Sequence, residues 1–181
     1  MNSIVLTGGT SKRFGSDKSQ AKIQGKTLLE YLSDGLENLI IVGPETSIAA
    51  KYVREEPIGA GPLAAIAAAM NEVDSDLVAI YATDMPFAPR ITNQLASALK
   101  SDAAIAIDCD GKLQPLAGVY RSEKLKAALS TYESVENQSV RSLLSKLVID
   151  EVPVVETELL MDIDTQEDLL KAVDLASRLA P

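Results

Sequence analysis

The 181-residue chain has no histidine, no tryptophan and a single cysteine. Without histidine there can be no His-based triad, no imidazole general base and no His-rich zinc site. One cysteine, Cys109, excludes an internal disulfide and a thiolate zinc site, and its neighbours Asp108 and Asp110 offer nothing basic to activate it. Any metal must therefore be a hard cation held by carboxylates, with magnesium the leading candidate. Aromatic residues amount to 4%, so the core must be assembled from Val, Ile, Leu and Ala. The chain shows neither a membrane-length apolar run nor a signal-peptide pattern, and a reducing cytoplasm is the expected location. Seventeen basic against 26 acidic residues give a formal net charge of −9. That balance lacks the basic footprint of a general nucleic-acid binder, so neither nucleic acid nor membrane is an expected partner. A nucleotide substrate remains open, because it requires only a local positive site.

What is present fits one α/β domain spanning residues 1–181, since this length suits a single core and 46% apolar content is that of a globular chain. Short apolar runs predict buried strands at Ser3–Leu6, Leu39–Val42, Leu77–Tyr81 and Ala103–Ile107, with shorter ones at Lys51–Arg54 and Leu116–Tyr120. Val148–Val155 is strand-like, and Pro153 makes it an edge or interrupted strand. Helices are predicted from Thr27, whose Leu28, Leu29, Leu32 and Leu36 recur at helical spacing with Glu30 completing a capping box. Others follow in the alanine-rich LAAIAAAM, at Arg90–Lys100, Ser122–Thr131 and Val140–Leu147, and from Thr165 to Leu179 with Asp168 in the capping-box position. Residues 44–58 leave little room for a full crossover helix, so that connection is expected to be abbreviated. Apolar strands alternating with helices predict a three-layer α/β/α sandwich with a Rossmann-like, mostly parallel sheet.

In such sheets ligands sit beyond the carboxyl ends of the strands. Two segments fall there: LTGGTSKRFGSDK (residues 6–18) after the first strand, and Thr83-Asp84-Met85-Pro86 after LVAIY. Gly8 and Gly9 allow a tight turn whose amide N–H groups can face an anion. Arg13 supplies a planar fork for phosphate oxygens and Lys18 a compact charge. The stretch is neither a G-x-x-x-x-G-K-[ST] loop nor a G-x-G-x-x-G fingerprint. From the residues alone, Lys12, Arg13 and Lys18 could equally be surface cations. Asp84 could be a metal ligand or a turn-forming aspartate. Asp162 and Asp164 in MDIDT are expected on opposite sides of an extended piece, one of them facing the site.

The ordered set of motifs resembles the molybdenum cofactor guanylyltransferase family of the nucleotidyltransferase superfamily. LTGGTSKRFGSDK matches the pattern L-x-[GA]-G-x-[GS]-x-R-[MF]-G-x-[DP]-K, with Thr7 where Ala is usual. Gly8-Gly9 and Asp17 resemble the guanylyl branch, whereas cytidylyl relatives more often carry Ala-Ala-Gly and a Pro before the Lys. Gln24-Gly25-Lys26-Thr27-Leu28-Leu29, Gly61-Pro62-Leu63-Ala64, Thr83-Asp84-Met85-Pro86, Gln114-Pro115-Leu116-Ala117-Gly118-Val119-Tyr120 and Asp162-Ile163-Asp164-Thr165 extend the likeness through most of the chain.

The resemblance implies a nucleotide-diphospho-sugar transferase type of fold and transfer of GMP from GTP to molybdopterin. On it, Leu6, Thr7, Gly8 and Gly9 contact purine and ribose through backbone atoms, and Arg13 and Lys18 bind the triphosphate. Gly61, Pro62 and Leu63 line the base pocket, Asp84 binds magnesium with Asp164 as second carboxylate, and Gln114, Pro115 and Arg141 contact the acceptor. Arg13, Lys18 and Asp84 are the expected catalytic residues. Transient contact with other cofactor-biosynthesis proteins is a further expectation. The alternatives are a transferase using CTP or another phosphorylated acceptor, and an inactive nucleotide-binding homologue.

Overall fold

The apolar runs at Ser3–Leu6, Leu39–Val42, Leu77–Tyr81 and Ala103–Ile107 bury both their faces, whereas the shorter one at Lys51–Val53 does not. The period of two along a strand explains how. In β1 (Asn2–Leu6), every residue is buried. Val5 joins one apolar cluster, and Ile4 and Leu6 join a second on the opposite side of the sheet. The same division holds in β4 (Leu39–Val42), where Ile41 faces the first cluster and Ile40 and Val42 the second. A strand buried on both faces needs helices above and below, which makes the molecule three layers thick.

The computed structural model describes residues 1–8 and 21–180. Between β1 and β4 lie a small antiparallel pair, β2 (Lys22–Ile23) and β3 (Lys26–Thr27), and helix α1 (Leu28–Ser33). Then come β5 (Lys51–Val53), α2 (Pro62–Met70), β6 (Leu77–Ala82), a 3₁₀ helix at Ala88–Ile91 and α3 (Thr92–Ala98). The chain continues with β7 (Ala103–Ile107), β8 (Leu113–Arg121), α4 (Ser122–Leu129), α5 (Val140–Leu144) and β9 (Ile149–Pro153). A 3₁₀ helix at Thr157–Leu160 and α6 (Gln166–Leu179) complete it.

Among the described residues, seven strands form one sheet in the order β5-β4-β1-β6-β8-β7-β9. All neighbours are parallel except β8, which runs antiparallel to both β6 and β7. The expected mostly parallel α/β sheet is thus observed. Leu28 and Leu32 of α1, Leu95 of α3 and Leu175 of α6 pack on one face. Leu63 and Ile66 of α2, Leu125 of α4 and Leu143 of α5 pack on the other. Each such side chain removed from water contributes about 1.5–3 kcal/mol.

Local chemistry sets the helix starts. Thr27 Oγ1 accepts from Glu30 N (3.2 Å) and Glu30 Oε2 accepts from Thr27 N (2.7 Å), the reciprocal capping box expected at α1. Thr165 and Asp168 repeat it at α6, at 3.1 and 2.9 Å. Several expected boundaries need correction. Helix α1 stops at Ser33 and does not reach Leu36, because Asp34 turns extended and Gly35 takes φ +80°. The helix expected over 90–100 divides into the 3₁₀ helix and α3, and α5 ends at Leu144. Strand β8 starts three residues earlier than expected and takes Pro115 into its run. It can do so because the β7 register jumps there, from Ile105 opposite Gly118 to Ala106 opposite Gln114. Proline's missing N–H then falls in a bulge, outside the ladder. Strand β9 lies at the sheet edge with Pro153 as its last residue, and no helix separates β4 from β5, both as expected.

Candidate active site

The carboxyl ends of β1, β4, β5 and β6 open onto a cavity of about 800 Å³, and the N-terminal end of β8 forms its other side. The strand ends are tied to one another by hydroxyl and amide bonds. Thr7 donates to the Val42 carbonyl through both N (3.1 Å) and Oγ1 (2.8 Å). Thr83 donates to the Leu6 carbonyl in the same double way, from N at 3.1 Å and Oγ1 at 3.0 Å. The second pair sets the position of the residue that follows, Asp84. Gly43 packs against Thr7 so closely that a Cβ there would overlap Thr7 Oγ1, and its φ of +154° is a further reason for glycine.

Helix α2 points its N-terminal end at the same cavity. Gly61, at φ +95°, is its N-cap without a side-chain cap bond, and Pro62 fills the first turn, where its missing N–H costs nothing. The partial positive charge of that helix end favours acceptor or anionic groups of a ligand. The Asn137 amide donates to the Ala60 carbonyl (2.7 Å), anchoring the loop before α5 against the start of α2. Ser139 then caps α5 by accepting from Ser142 N (3.1 Å), and Arg141 follows at the cavity wall.

Opposite α2, the bulge of β8 presents Gln114, Pro115 and Leu116 to the cavity. Tyr120 holds it: the ring lies over Gly118, where a Cβ would come within 2.9 Å of it, and the hydroxyl donates to the Pro115 carbonyl (2.6 Å). Burial pushes that hydroxyl's pKa well up, so it stays a donor. Asp108, in the β7–β8 turn, accepts from Lys112 N (2.9 Å), Asp110 N (3.0 Å) and Gln114 Nε2 (2.8 Å). The bond from Lys112 chiefly, with those from Gln114 and Asp110, holds its carboxyl below the usual carboxylate range.

Asp84, Asp162 and Asp164 all line the cavity, between the α2 side and the β8 side. The Ile163 amide donates to the Asp84 carbonyl (2.9 Å), so the two acidic segments are fastened together by backbone. Ile163 itself is fully buried. This corrects the expectation that Asp162 and Asp164 would part: residues two apart in extended chain share a side, and it is Ile163 that turns inward. Among the described residues no group of three or more His, Cys, Asp or Glu is arranged to hold a metal ion. Paired carboxylates without a closed cage still fit magnesium, which usually takes one or two carboxylates and completes its shell from substrate phosphates and water.

Of the residues singled out from sequence, Leu6, Thr7, Gly8, Gly61, Pro62 and Asp84 line this one cavity. So do Gln114, Pro115, Arg141 and Asp164. Leu63 does not. Its side chain is fully buried in the core, because each helical residue turns about 100° from the last and α2 aims Leu63 at the sheet. Gly9, Arg13 and Lys18 lie outside the described residues, as does most of the LTGGTSKRFGSDK stretch. Sequence reading missed Arg54, Glu55, Ile58 and Lys112, all on the cavity wall. Arg54 directly follows β5, and the rule that ligands gather at carboxyl strand ends could have found it. Lys112 carried no such signal, because it reaches the wall only through the turn that Asp108 closes.

Comparison with known proteins agrees with the architecture. The family model described as "MobA-like NTP transferase domain" matches residues 3–152. A Geobacillus protein named "Probable molybdenum cofactor guanylyltransferase" is 32% identical over 154 residues, covering 76% of this chain and 78% of its own. A Bacillus subtilis protein of the same name is 30% identical, with 81% and 79% covered. Among solved structures, the molybdopterin-guanine dinucleotide biosynthesis protein A of Archaeoglobus fulgidus superposes with a TM-score of 0.78 over 99% of this chain and 100% of its own. At 24% identity that likeness speaks for the fold.

Proposed function

Because the chain belongs to the MobA-like NTP transferase domain family, we propose that it is a nucleotidyltransferase that moves GMP from GTP to molybdopterin or its molybdenum form. The products are the guanine dinucleotide cofactor and pyrophosphate. The observation that carries this reading is the single cavity with two unlike sides about a row of aspartates. The nucleotide fits the side built from Leu6, Thr7 and Gly8 at the end of β1 and Gly61 and Pro62 at the start of α2. The acceptor fits the side built from Gln114, Pro115 and Arg141. The α-phosphate then comes to Asp84 and Asp164, where the two sides meet.

The acceptor's terminal phosphate is a monoester with a second pKa of about 6, so it is already dianionic near neutral pH. One of its oxygens forms the new bond to the α-phosphorus while the bridging bond to the β-phosphate breaks, and pyrophosphate leaves with its electron pair. No proton has to be removed from the nucleophile. A chain without histidine is therefore suited to the reaction. Its own residues contribute positioning and charge neutralisation, Arg13 and Lys18 acting on the triphosphate. Asp84 and Asp164 would hold a magnesium ion, which when bound neutralises negative charge on the phosphates.

A cytoplasmic location goes with this reading. No helix among the described residues is long and apolar enough to cross a membrane. The proposal is tested by incubating the purified chain with molybdopterin, magnesium and each of four NTPs and measuring pyrophosphate release. GTP should be used in preference to CTP. Incorporation of CTP but not GTP would overturn the choice of base.

A further inference from the structure

Resting on the reading that the β8 side of the cavity takes the acceptor, we infer that Asp108 is a positioning residue that sets which end of the Gln114 amide meets the substrate. The carboxylate is clamped in its own turn. Its Oδ1 accepts from the Asp110 and Lys112 amides, Gly111 N donates to the Asp108 carbonyl (3.0 Å), and Asp108 N donates to the Lys112 carbonyl (3.1 Å). Oδ2 is left to face Gln114 at 2.8 Å.

An ionised carboxylate only accepts hydrogen bonds, so the group it meets on Gln114 must be the NH₂. That settles an orientation which side-chain shape alone leaves ambiguous between oxygen and nitrogen. The carbonyl Oε1 is accordingly turned away from Asp108. Among the described residues no donor meets it, and Gln114 lines the cavity. The cavity is thereby given a fixed acceptor at that point, which selects a ligand edge carrying N–H. A pterin offers such an edge in its ring N–H and exocyclic amine. An edge of acceptors only, such as a carboxylate or phosphate, is refused there.

The arrangement makes a reciprocal prediction. In Asp108→Asn, the two backbone donors keep an oxygen at the Oδ1 place, so an NH₂ takes the Oδ2 place. Two NH₂ groups cannot face each other, and Gln114 reverses, presenting a donor to the cavity in place of an acceptor. Adding Gln114→Glu to that variant restores the pattern: one carboxylate oxygen accepts from the new NH₂ at position 108 and the other faces the ligand. Gln114→Glu alone sets two carboxylates against each other.

The measurement is steady-state pyrophosphate release by the full chain with GTP and molybdopterin. Asp108→Asn should raise the KM for molybdopterin about 10- to 100-fold, with the KM for GTP within about twofold of the parent. The double variant should recover most of that loss, a coupling that a merely structural role would not produce. The inference is overturned if Asp108→Asn leaves the molybdopterin KM unchanged, if both KM values rise together, or if the double variant is no better than Asp108→Asn. Nuclear magnetic resonance of the Gln114 side-chain NH₂ gives a readout independent of turnover. One proton should be shifted downfield by Asp108 and lose that shift in Asp108→Asn, and its absence in the parent overturns the clamp. A parent chain that releases no pyrophosphate from GTP and molybdopterin, while showing that shift, would overturn the functional reading and leave the Asp108 clamp standing.

Discussion

The two sides of the cavity are built by different means. On the β1 and α2 side, the chain uses backbone: glycines at 8, 43 and 61, a helix end, and threonines 7 and 83 that each bond twice to one carbonyl. On the β8 side it uses side chains reaching across a bulge, with Tyr120 bonded to Pro115 and Asp108 to Gln114. Backbone recognition suits a group whose shape is always the same, such as a nucleotide's ribose and phosphates. Side-chain recognition places individual donors and acceptors, and can be altered one atom at a time. The two sides should therefore respond to substitution in separable ways.

The largest effect is expected where they meet. Asp84→Ala should lower kcat/KM by about 10²–10³, the range for removing one preorganised electrostatic group. The backbone position of residue 84 should persist in the variant, since it is set by the Thr83 bonds to Leu6 and by the Ile163 amide. If pyrophosphate release survived unchanged, the magnesium assignment would have to be abandoned, and the two sides would no longer share a centre.

Gly43→Ala comes next and should strike the backbone side alone. The new Cβ overlaps Thr7 Oγ1, and the φ of +154° is rarely adopted by other residues. A cost of about 1–3 kcal/mol is expected, visible as reduced thermal stability and a raised KM for GTP. The KM for the acceptor should stay near the parent value. Equal effects on both substrates would show that the sides are not independent.

The backbone side is also the part most legible in sequence. Its strands are short apolar runs, and burial on both faces is what such runs signal; glycines mark the turns that follow. Both capping boxes, Thr27 with Glu30 and Thr165 with Asp168, were readable because they are local, three residues apart. The β8 side was less so. Nothing periodic announces that Pro115 sits inside a strand, because the bulge depends on β7 residues about ten positions earlier in the chain. The Tyr120 bond to Pro115 and the Asp108 bond to Gln114 are likewise set by the bulge and turn geometry, not by any pattern. Leu63 shows the limit of motif reading at finer scale: Gly61-Pro62-Leu63 is one motif, yet a single step of helix rotation sends Pro62 to the cavity and Leu63 to the core.

Tyr120→Phe tests the side-chain half in turn. It keeps the ring over Gly118 and deletes only the hydroxyl that donates to Pro115. The loss of that bond should destabilise the protein by about 1 kcal/mol. A several-fold rise in the acceptor KM is expected, with the GTP KM held, which is the mirror image of Gly43→Ala. Gly118→Ala should push the same ring from the other direction and shift the same KM.

The smallest expected effect concerns the acidic segment itself. Asp168 Oδ2 accepts from Asp164 N (3.3 Å) and Thr165 N (2.9 Å), so the cap of α6 also steadies Asp164. Bonds from the Thr165 hydroxyl first, then from these backbone amides, hold the Asp168 carboxyl below its ordinary value. A carboxyl with a lowered folded pKa contributes stability that is fully present above its unfolded value of about 3.9. That contribution is lost as pH falls through the lower folded value, since the proton then binds the unfolded chain more tightly. The group is largely solvated, so the contribution is small, under about 1 kcal/mol. Asp168→Asn should therefore lower the melting temperature at pH 7 by no more than about 4 °C. The difference from the parent should shrink as both are acidified below about pH 4. Neither KM should move at neutral pH, because Asp164 is fixed more firmly through Ile163 and its bond to Asp84 than through this cap. A change in the GTP KM alone would instead place the cap of α6 on the nucleotide side of the divide.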